Sequence, residues 1–412
     1  MFKNLYKKSG KKKFLTIGLY SGLLLLVEIF LCAKLFGLDN IPIAAYFIVY
    51  ICGFILIAVA LSLGHNKLLL LIGIPAFISS FILLATTIND FYQYFPNLSS
   101  IFVQNYIKSH STSSVSETHI GQQYRVGSIE QKMFGNSNSK GSVMAVNMPG
   151  DVSGLKARSG YVYLPPAYFD KASSDIKFPV IVLLTGTPGN PVSWLQGGLL
   201  VSTMDSFTNR HKGIAPIVVI ADHSGSFTND TECLDSSHGN AETYLTVDVP
   251  NYIKSHYRVA SNPVNWGIGG FSEGGMCAAM LALTNQDIFR HFLDMSGDPN
   301  PFLSDYSQTL PVLFHNSKKD QREHDIDWLL ENVELKPQLS AQFAIGSQDS
   351  RKLIGEMRRS YHYSSKRNIP TSFNIIANQG HSFSAWSQAY SDALPRLSYY
   401  LGATNCENNC GD

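Results

Sequence analysis

Charge is scarce in this 412-residue chain. Charged residues make up 15% of it, against 45% hydrophobic, where a soluble domain typically carries about 25% charged. That composition argues against a disordered or wholly soluble chain. Neither sign is in excess: 32 Lys and Arg face 31 Asp and Glu, a formal net charge of +1. This leaves no whole-chain electrostatic case for a nucleic-acid partner. No phosphate-binding glycine loop ending in Lys-Ser/Thr occurs, and no His-Glu-x-x-His, so those nucleotide and zinc chemistries are excluded. Cys406-Glu407-Asn408-Asn409-Cys410 lacks zinc-ligand spacing and has no His beside it. The stretch Asp222–Glu232 is rich in oxygen ligands but has no bidentate Glu at the EF-hand position, so it reads as a solvated loop. No cofactor and no metal are expected.

Acid is also missing from the first thirteen residues, which hold six lysines (Lys3, Lys7, Lys8, Lys11, Lys12, Lys13). Three apolar runs follow, Phe14–Phe36, Ile41–Leu63 and Leu68–Thr87, joined by the short connectors Gly37–Asn40 and Gly64–Lys67. Each has the length of about 20 residues needed to cross a bilayer, and none shows the polar face of a soluble helix. The first has no small-x-small cleavage site, which argues against a removed signal peptide. Residues 1–90 are therefore expected to be a three-span membrane anchor. The lysines place the N-terminus in the cytoplasm and the remainder of the chain outside the cell membrane. Glu28 falls mid-span and is read as a paired or protonated residue rather than part of a transport path. Cys32 and Cys52 lie within spans. The other four cysteines face an oxidising exterior, where they allow three pairings. Cys233 with Cys277 and Cys406 with Cys410 is the preferred one.

Residues 91–125 read as a juxtamembrane linker, polar over His110–Glu117, and 403–412 as a C-terminal tail. Between them the texture alternates. Ser142–Asn147, Ser159–Leu164, Pro179–Leu184, Ala215–Ile220 and Trp266–Gly270 read as strands, several apolar throughout; Ser193–Asn209, Ala241–Tyr257 and Gly274–Asn285 read as helices. That pattern predicts a mainly parallel sheet flanked by helices, an α/β domain over 126–402.

Gly270-Phe271-Ser272-Glu273-Gly274 lies between an apolar strand and a small-residue helix. Glycines in a Gly-x-Ser-x-Gly turn allow the sharp bend that lifts a serine hydroxyl over a sheet edge, so Ser272 is the candidate nucleophile. A serine needs a base and an orienting acid. Of His291, His315, His324, His362 and His381, the last follows a strand (Ser372–Ala377) and precedes the terminal helix Ala385–Tyr400, so it is the expected base. Asp349 leaves the strand Gln342–Ile345 and is the expected acid; Asp320, Glu323, Asp325 and Asp327 sit in a charged stretch read as a solvent face. Two backbone N–H groups must hold the oxyanion. Glu273 follows the nucleophile, and Thr187 lies in the loop Thr185–Gly189 after an early strand, where Pro188 has no N–H to offer. Trp194 and Trp386 lie near these loops and are the expected substrate walls.

These motifs resemble the esterase branch of the α/β-hydrolases, which includes S-formylglutathione hydrolases, feruloyl esterases and secreted mycolyltransferases. The strand and loop Leu183–Gly189 with Trp194, Cys233-Leu234-Asp235-Ser236, Tyr244–Pro250, the elbow Gly269–Gly275 with Cys277, and Gly380-His381 with Trp386 are similar to membrane-anchored esterases of Gram-positive bacteria. The resemblance implies an α/β-hydrolase fold, a triad of Ser272, Asp349 and His381, and proximity of Cys233 to Cys277. Some members of that group resemble aminoacyl-phosphatidylglycerol hydrolases. Thr185 departs from the pattern, standing where many hydrolases carry His. The expected function is thus a membrane-anchored serine esterase acting through an acyl-enzyme on a lipid or cell-envelope ester. Acyl transfer between envelope glycolipids and a non-catalytic membrane scaffold are the alternatives.

Overall fold

The computed structural model describes residues 67–96 and 140–404, with single positions at 48, 51 and 100. The chain divides after Gln93 into two compact units. In the first, the helix Lys67–Tyr92 carries the third apolar run over 26 residues; the side chains of residues 67–77 lie outside the described set. Among the described residues no helix is long and apolar enough to cross a membrane. The first apolar run, the second apart from Ile48 and Ile51, the lysine cluster, Glu28, His110–Glu117, and Cys406 and Cys410 lie outside the described residues.

The second unit is built on an eight-stranded sheet of order β1-β2-β4-β3-β7-β8-β9-β10. Its strands are β1 (Ser142–Val146), β2 (Gly160–Leu164), β3 (Val180–Leu184), β4 (Ile217–Ile220), β7 (Trp266–Phe271), β8 (His291–Met295), β9 (Ser340–Gly346) and β10 (Thr371–Ile376). β5 (Asp235–Ser236) and β6 (Gly239–Asn240) form a separate two-stranded ribbon. β1 and β2 pair antiparallel, β2 joins β4 antiparallel, and every pairing from β4 through β10 is parallel. The central strands are apolar without alternation because helices cover both faces. Val180, Val182 and Leu184 enter one core, and Ile181 and Leu183 the other. All five are completely buried, and side chains of this size gain about 1.5–3 kcal/mol each on burial.

The helices depart from the expected spans at identifiable residues. Ser193–Asn209 is two helices, Ser193–Gln196 and Leu200–Arg210, separated by Gly197-Gly198 and by Leu199 at φ 51°. In the stretch 241–256 a π-turn at Tyr244–Asp248 precedes the helix Val249–His256. Pro250 has no N–H for the regular ladder, and the wider turn absorbs that loss. Tyr94 and Phe95, expected in a linker, belong to the second unit. The Tyr94 hydroxyl is 3.0 Å from Ser193 Oγ, and its ring packs edge-on against Phe383 at 4.9 Å.

Candidate active site

Parallel strands put their C-terminal ends on one edge, and loops leaving that edge can converge. β7 delivers Ser272 there. The residue has φ 55° and ψ −129° as β7 gives way to the helix Glu273–Thr284, a conformation sparsely populated for any residue with a Cβ. Its N–H donates to Met295 O at 2.8 Å, and Gly275 N–H donates back to Ser272 O at 2.9 Å. Such tight folding needs glycine. A Cβ on Gly274 would stand 2.5 Å from Thr185 O and 2.8 Å from Leu184 C.

β10 delivers His381, and β9 delivers Asp349. His381 Nε2 lies 3.0 Å from Ser272 Oγ, and His381 Nδ1 lies 2.9 Å from Asp349 Oδ2. The structure thus brings together three residues read separately from the sequence, in a continuous chain of hydrogen bonds. The Asp349 side chain is 6% exposed and that of His381 28%. Burial pushes the Asp349 carboxyl up, but its hydrogen bond to His381 and the charge of that ring outweigh burial, and the carboxyl is held below the usual range. Ser350 N–H donates to Asp349 Oδ1 at 2.8 Å. The rival Asp320 is exposed on the helix Lys318–Glu323.

The loop after β3 closes against the nucleophile. A Cβ on Gly186 would be 2.9 Å from Ser272 Cβ and 3.3 Å from Ser272 Oγ. Thr187, the next residue, is half-buried. Glu273 opens a helix, and the first N–H groups of a helix have no acceptor within it. Glu273 adjoins Ser272 in the chain, and the loop that carries Thr187 approaches it at Gly186.

The two tryptophans behave differently from their expected roles. Trp194 is completely buried, its Nε1 donating to Leu184 O at 3.0 Å and its ring packing on Phe271 and Tyr390. A residue with no exposed surface cannot wall a cleft; Trp194 is core. Trp386 is 5% exposed. It stacks on Phe271 at 4.4 Å and 7° and stands perpendicular to His381 at 4.9 Å. Its position braces the imidazole rather than offering a platform.

Four features escaped the sequence reading. Arg158 donates to both Asp222 oxygens, at 2.6 and 3.0 Å, and to Gly189 O at 3.0 Å. It clamps the end of the oxyanion loop to the buried Asp222, whose carboxyl burial raises and Arg158 brings below its usual range. The visible signal is one cation placed two residues before the buried strand β2. Asp298, after β8, is raised by burial and lowered by the charge of His381, a second carboxyl within its electrostatic reach. Asp294 in β8 is fully buried, accepts from Gly297 N–H at 2.8 Å, and is pushed by burial to about 7. Fourth, Asp222–Glu232 is solvated only in its middle: Ser226–Thr228 are exposed, whereas Asp222, His223, Ser224, Thr231 and Glu232 are buried. The disulfide Cys233–Cys277 fastens the end of this segment to the helix that begins at the nucleophile.

Comparison with known proteins agrees with this geometry. A relative in Corynebacterium glutamicum, described only as an uncharacterized protein, is 34% identical over 247 residues; the match spans 59% of this chain and 57% of the relative's length. The fold is shared with a ferulic acid esterase (TM-score 0.54, 19% identity, 64% of this chain and 100% of that one). It is shared also with an S-formylglutathione hydrolase from Agrobacterium tumefaciens (TM-score 0.52, 18% identity, 66% and 98%). The family model described as "Putative esterase" matches residues 156–397, more than half of the chain. The chain belongs to that family of esterases, and its second unit has the α/β-hydrolase fold shared with those two structures.

Proposed function

We propose that the protein is a membrane-anchored, extracytoplasmic ester hydrolase that works through an acyl-enzyme on a lipid-linked ester, aminoacyl-phosphatidylglycerol being the leading candidate. The observation that carries the catalytic part is the continuous hydrogen-bonded path Ser272–His381–Asp349 at the strand ends. Ser272 Oγ attacks the ester carbonyl while His381 Nε2 takes its proton. Asp349, kept ionised, holds the ring with Nδ1–H toward itself and stabilises the imidazolium. Negative charge on the carbonyl oxygen is met by the N–H groups of Thr187 and Glu273. His381 returns its proton to the departing alcohol, and a water activated by the same ring releases the acid.

Three things support the membrane part. The six N-terminal lysines precede three apolar runs. On the helix Lys67–Tyr92, Ile78, Phe81, Ile82 and Leu83 are each more than half exposed, an apolar surface that suits a lipid environment. The disulfide within the catalytic domain suits an oxidising compartment. A site tethered to a bilayer meets lipid esters at high local concentration.

The test is release of free amino acid from alanyl- and lysyl-phosphatidylglycerol by the purified full-length chain in detergent, with a short-chain ester and Ser272→Ala alongside. Release that vanishes in Ser272→Ala is the expected result. Cleavage of the short-chain ester alone would refute the aminoacyl-lipid substrate and leave the esterase. Full activity of Ser272→Ala on both would refute the triad.

A further inference from the structure

The loop after β4 carries Asp230 and Glu232 to the side chain of Glu273, the residue next to the nucleophile. One carboxylate oxygen from each lies within 4.8 Å of the other two. Glu232 is 6% exposed and the Glu273 side chain 7%. Among the described residues, both Glu273 oxygens and Asp230 Oδ1 are buried with no hydrogen-bond partner. Behind them His223, 1% exposed, pairs its Nε2 with Glu273 Oε1 at 3.4 Å, while its Nδ1 has no hydrogen-bond partner. Asp230 is half-buried, the Glu232, Glu273 and His223 side chains are buried, and their polar atoms face one another.

We propose that Asp230, Glu232 and Glu273 bind a hard divalent cation, calcium by preference, directly beneath the nucleophile elbow. Oxygens bound to one calcium at about 2.3–2.6 Å lie at most about 5 Å apart, which is the spacing found. An all-carboxylate donor set selects calcium, magnesium or manganese over thiolate- and imidazole-seeking metals. Cys233, though adjacent, is held in the disulfide and supplies no thiolate. Ligands drawn from an irregular loop and a helix end suit calcium's tolerant geometry better than magnesium's strict octahedron. His223 is a positioning residue, aiming Glu273 from behind.

Glu273 also supplies a backbone N–H for the oxyanion. Uncompensated negative charge on its side chain would oppose the charge forming there, whereas a bound cation would favour it.

The experiment uses the full-length chain in detergent, stripped with EGTA. Thermal unfolding is followed with calcium, magnesium, manganese or zinc at saturating concentration, and terbium luminescence counts sites. Calcium is expected to raise Tm by about 5 °C, and terbium to saturate at one ion per chain and be displaced by calcium. Glu232→Gln and Asp230→Asn are each expected to weaken binding at least about tenfold, as loss of one charged ligand should; two variants guard against one failing to fold. Absence of any ion-dependent Tm change and of saturable terbium signal in the wild-type chain would overturn the proposal, leaving shared protons as the neutralising charge. A response to zinc alone, or one unchanged in the variants, would overturn it equally. None of these readouts depends on ester hydrolysis.

Discussion

An alanine at position 186 should test the oxyanion loop while leaving the nucleophile in place. Its Cβ would lie 2.9 Å from Ser272 Cβ and 3.3 Å from both Ser272 Oγ and Phe271 O. Carbon atoms in contact rest near 3.5–4.0 Å, so one side must retreat by about 0.6–1 Å. Ser272 is the less able to move. It is fixed at φ 55° by the turn into its helix and by its N–H bond to Met295 O. The loop yields instead and takes the Thr187 N–H with it. Displacement of a catalytic group by about 1 Å costs on the order of 100-fold in rate, and loss of one oxyanion donor about 100- to 1,000-fold. Gly186→Ala is therefore expected to lower kcat by about 100-fold, or roughly 2.7 kcal/mol of transition-state stabilisation, with KM little changed. Overpacking should destabilise the fold by about 1–3 kcal/mol. The assay is steady-state hydrolysis of a chromogenic short-chain ester, paired with the rate of fluorophosphonate labelling of Ser272, which should fall in parallel. Gly355→Ala is the control, because a Cβ there meets nothing within 4 Å in the helix Arg351–Lys366, and helix propensity predicts a gain of about 0.5–1 kcal/mol. Wild-type kcat in a folded Gly186→Ala protein would refute the placement of the oxyanion loop.

Other changes probe the supports. Arg158→Ala strips the buried Asp222 of its partner and should cost about 3–5 kcal/mol by urea unfolding, with kcat falling because Gly189 O loses its clamp; unchanged stability would mean that Asp222 takes up a proton at no cost. Removing the disulfide as Cys233→Ser with Cys277→Ser frees a loop of sequence separation 44, for which chain entropy predicts a loss of about 4 kcal/mol; a loss under 1 kcal/mol would show that the loop is held by its other contacts. Burial raises Asp294 to about 7 in the folded chain from the ordinary carboxyl value of 3.8. The stability tied to its protonated form is thus complete below about pH 4 and lost as pH rises to about 7. Asp294→Asn keeps the acceptor for Gly297 N–H and should gain on the wild type between pH 5 and pH 8 by at most about 3 kcal/mol. Parallel urea midpoints at the two pH values would refute that reading.

What the sequence disclosed depends on how local each signal was. The central strands were legible because burial on both faces writes an unbroken apolar run, as in Val180–Leu184 and Ile217–Ile220. Ser272, Asp349 and His381 were legible for a related reason: each lies at or just beyond the C-terminal end of a strand, β7 and β9 buried throughout and β10 half-buried, at the edge where loops converge. The ends of Asp222–Glu232 were misread because polar residues were equated with water, while Ser226–Thr228 are exposed. The burial of those ends depends on Arg158, 64 positions away from Asp222, and on a disulfide partner in another element. No window along the chain contains those contacts. Trp194 failed as a wall for the converse reason. Nearness in sequence to a catalytic loop says nothing of which face a side chain takes, and its indole turned inward to Leu184 O.

The bond between Cys233 and Cys277 also closes a covalent ring, and Ser272 lies inside it. Trypsin finds an exposed Lys254 within that ring, on the helix Val249–His256. A cut there would sever the backbone between the β4 loop and the nucleophile without releasing either piece. The nicked chain would run as one species on a non-reducing gel, and the part bearing a label on Ser272 would separate only after reduction. Proteolytic survival of the elbow, judged without a reductant, would therefore measure the ring and not the intact chain.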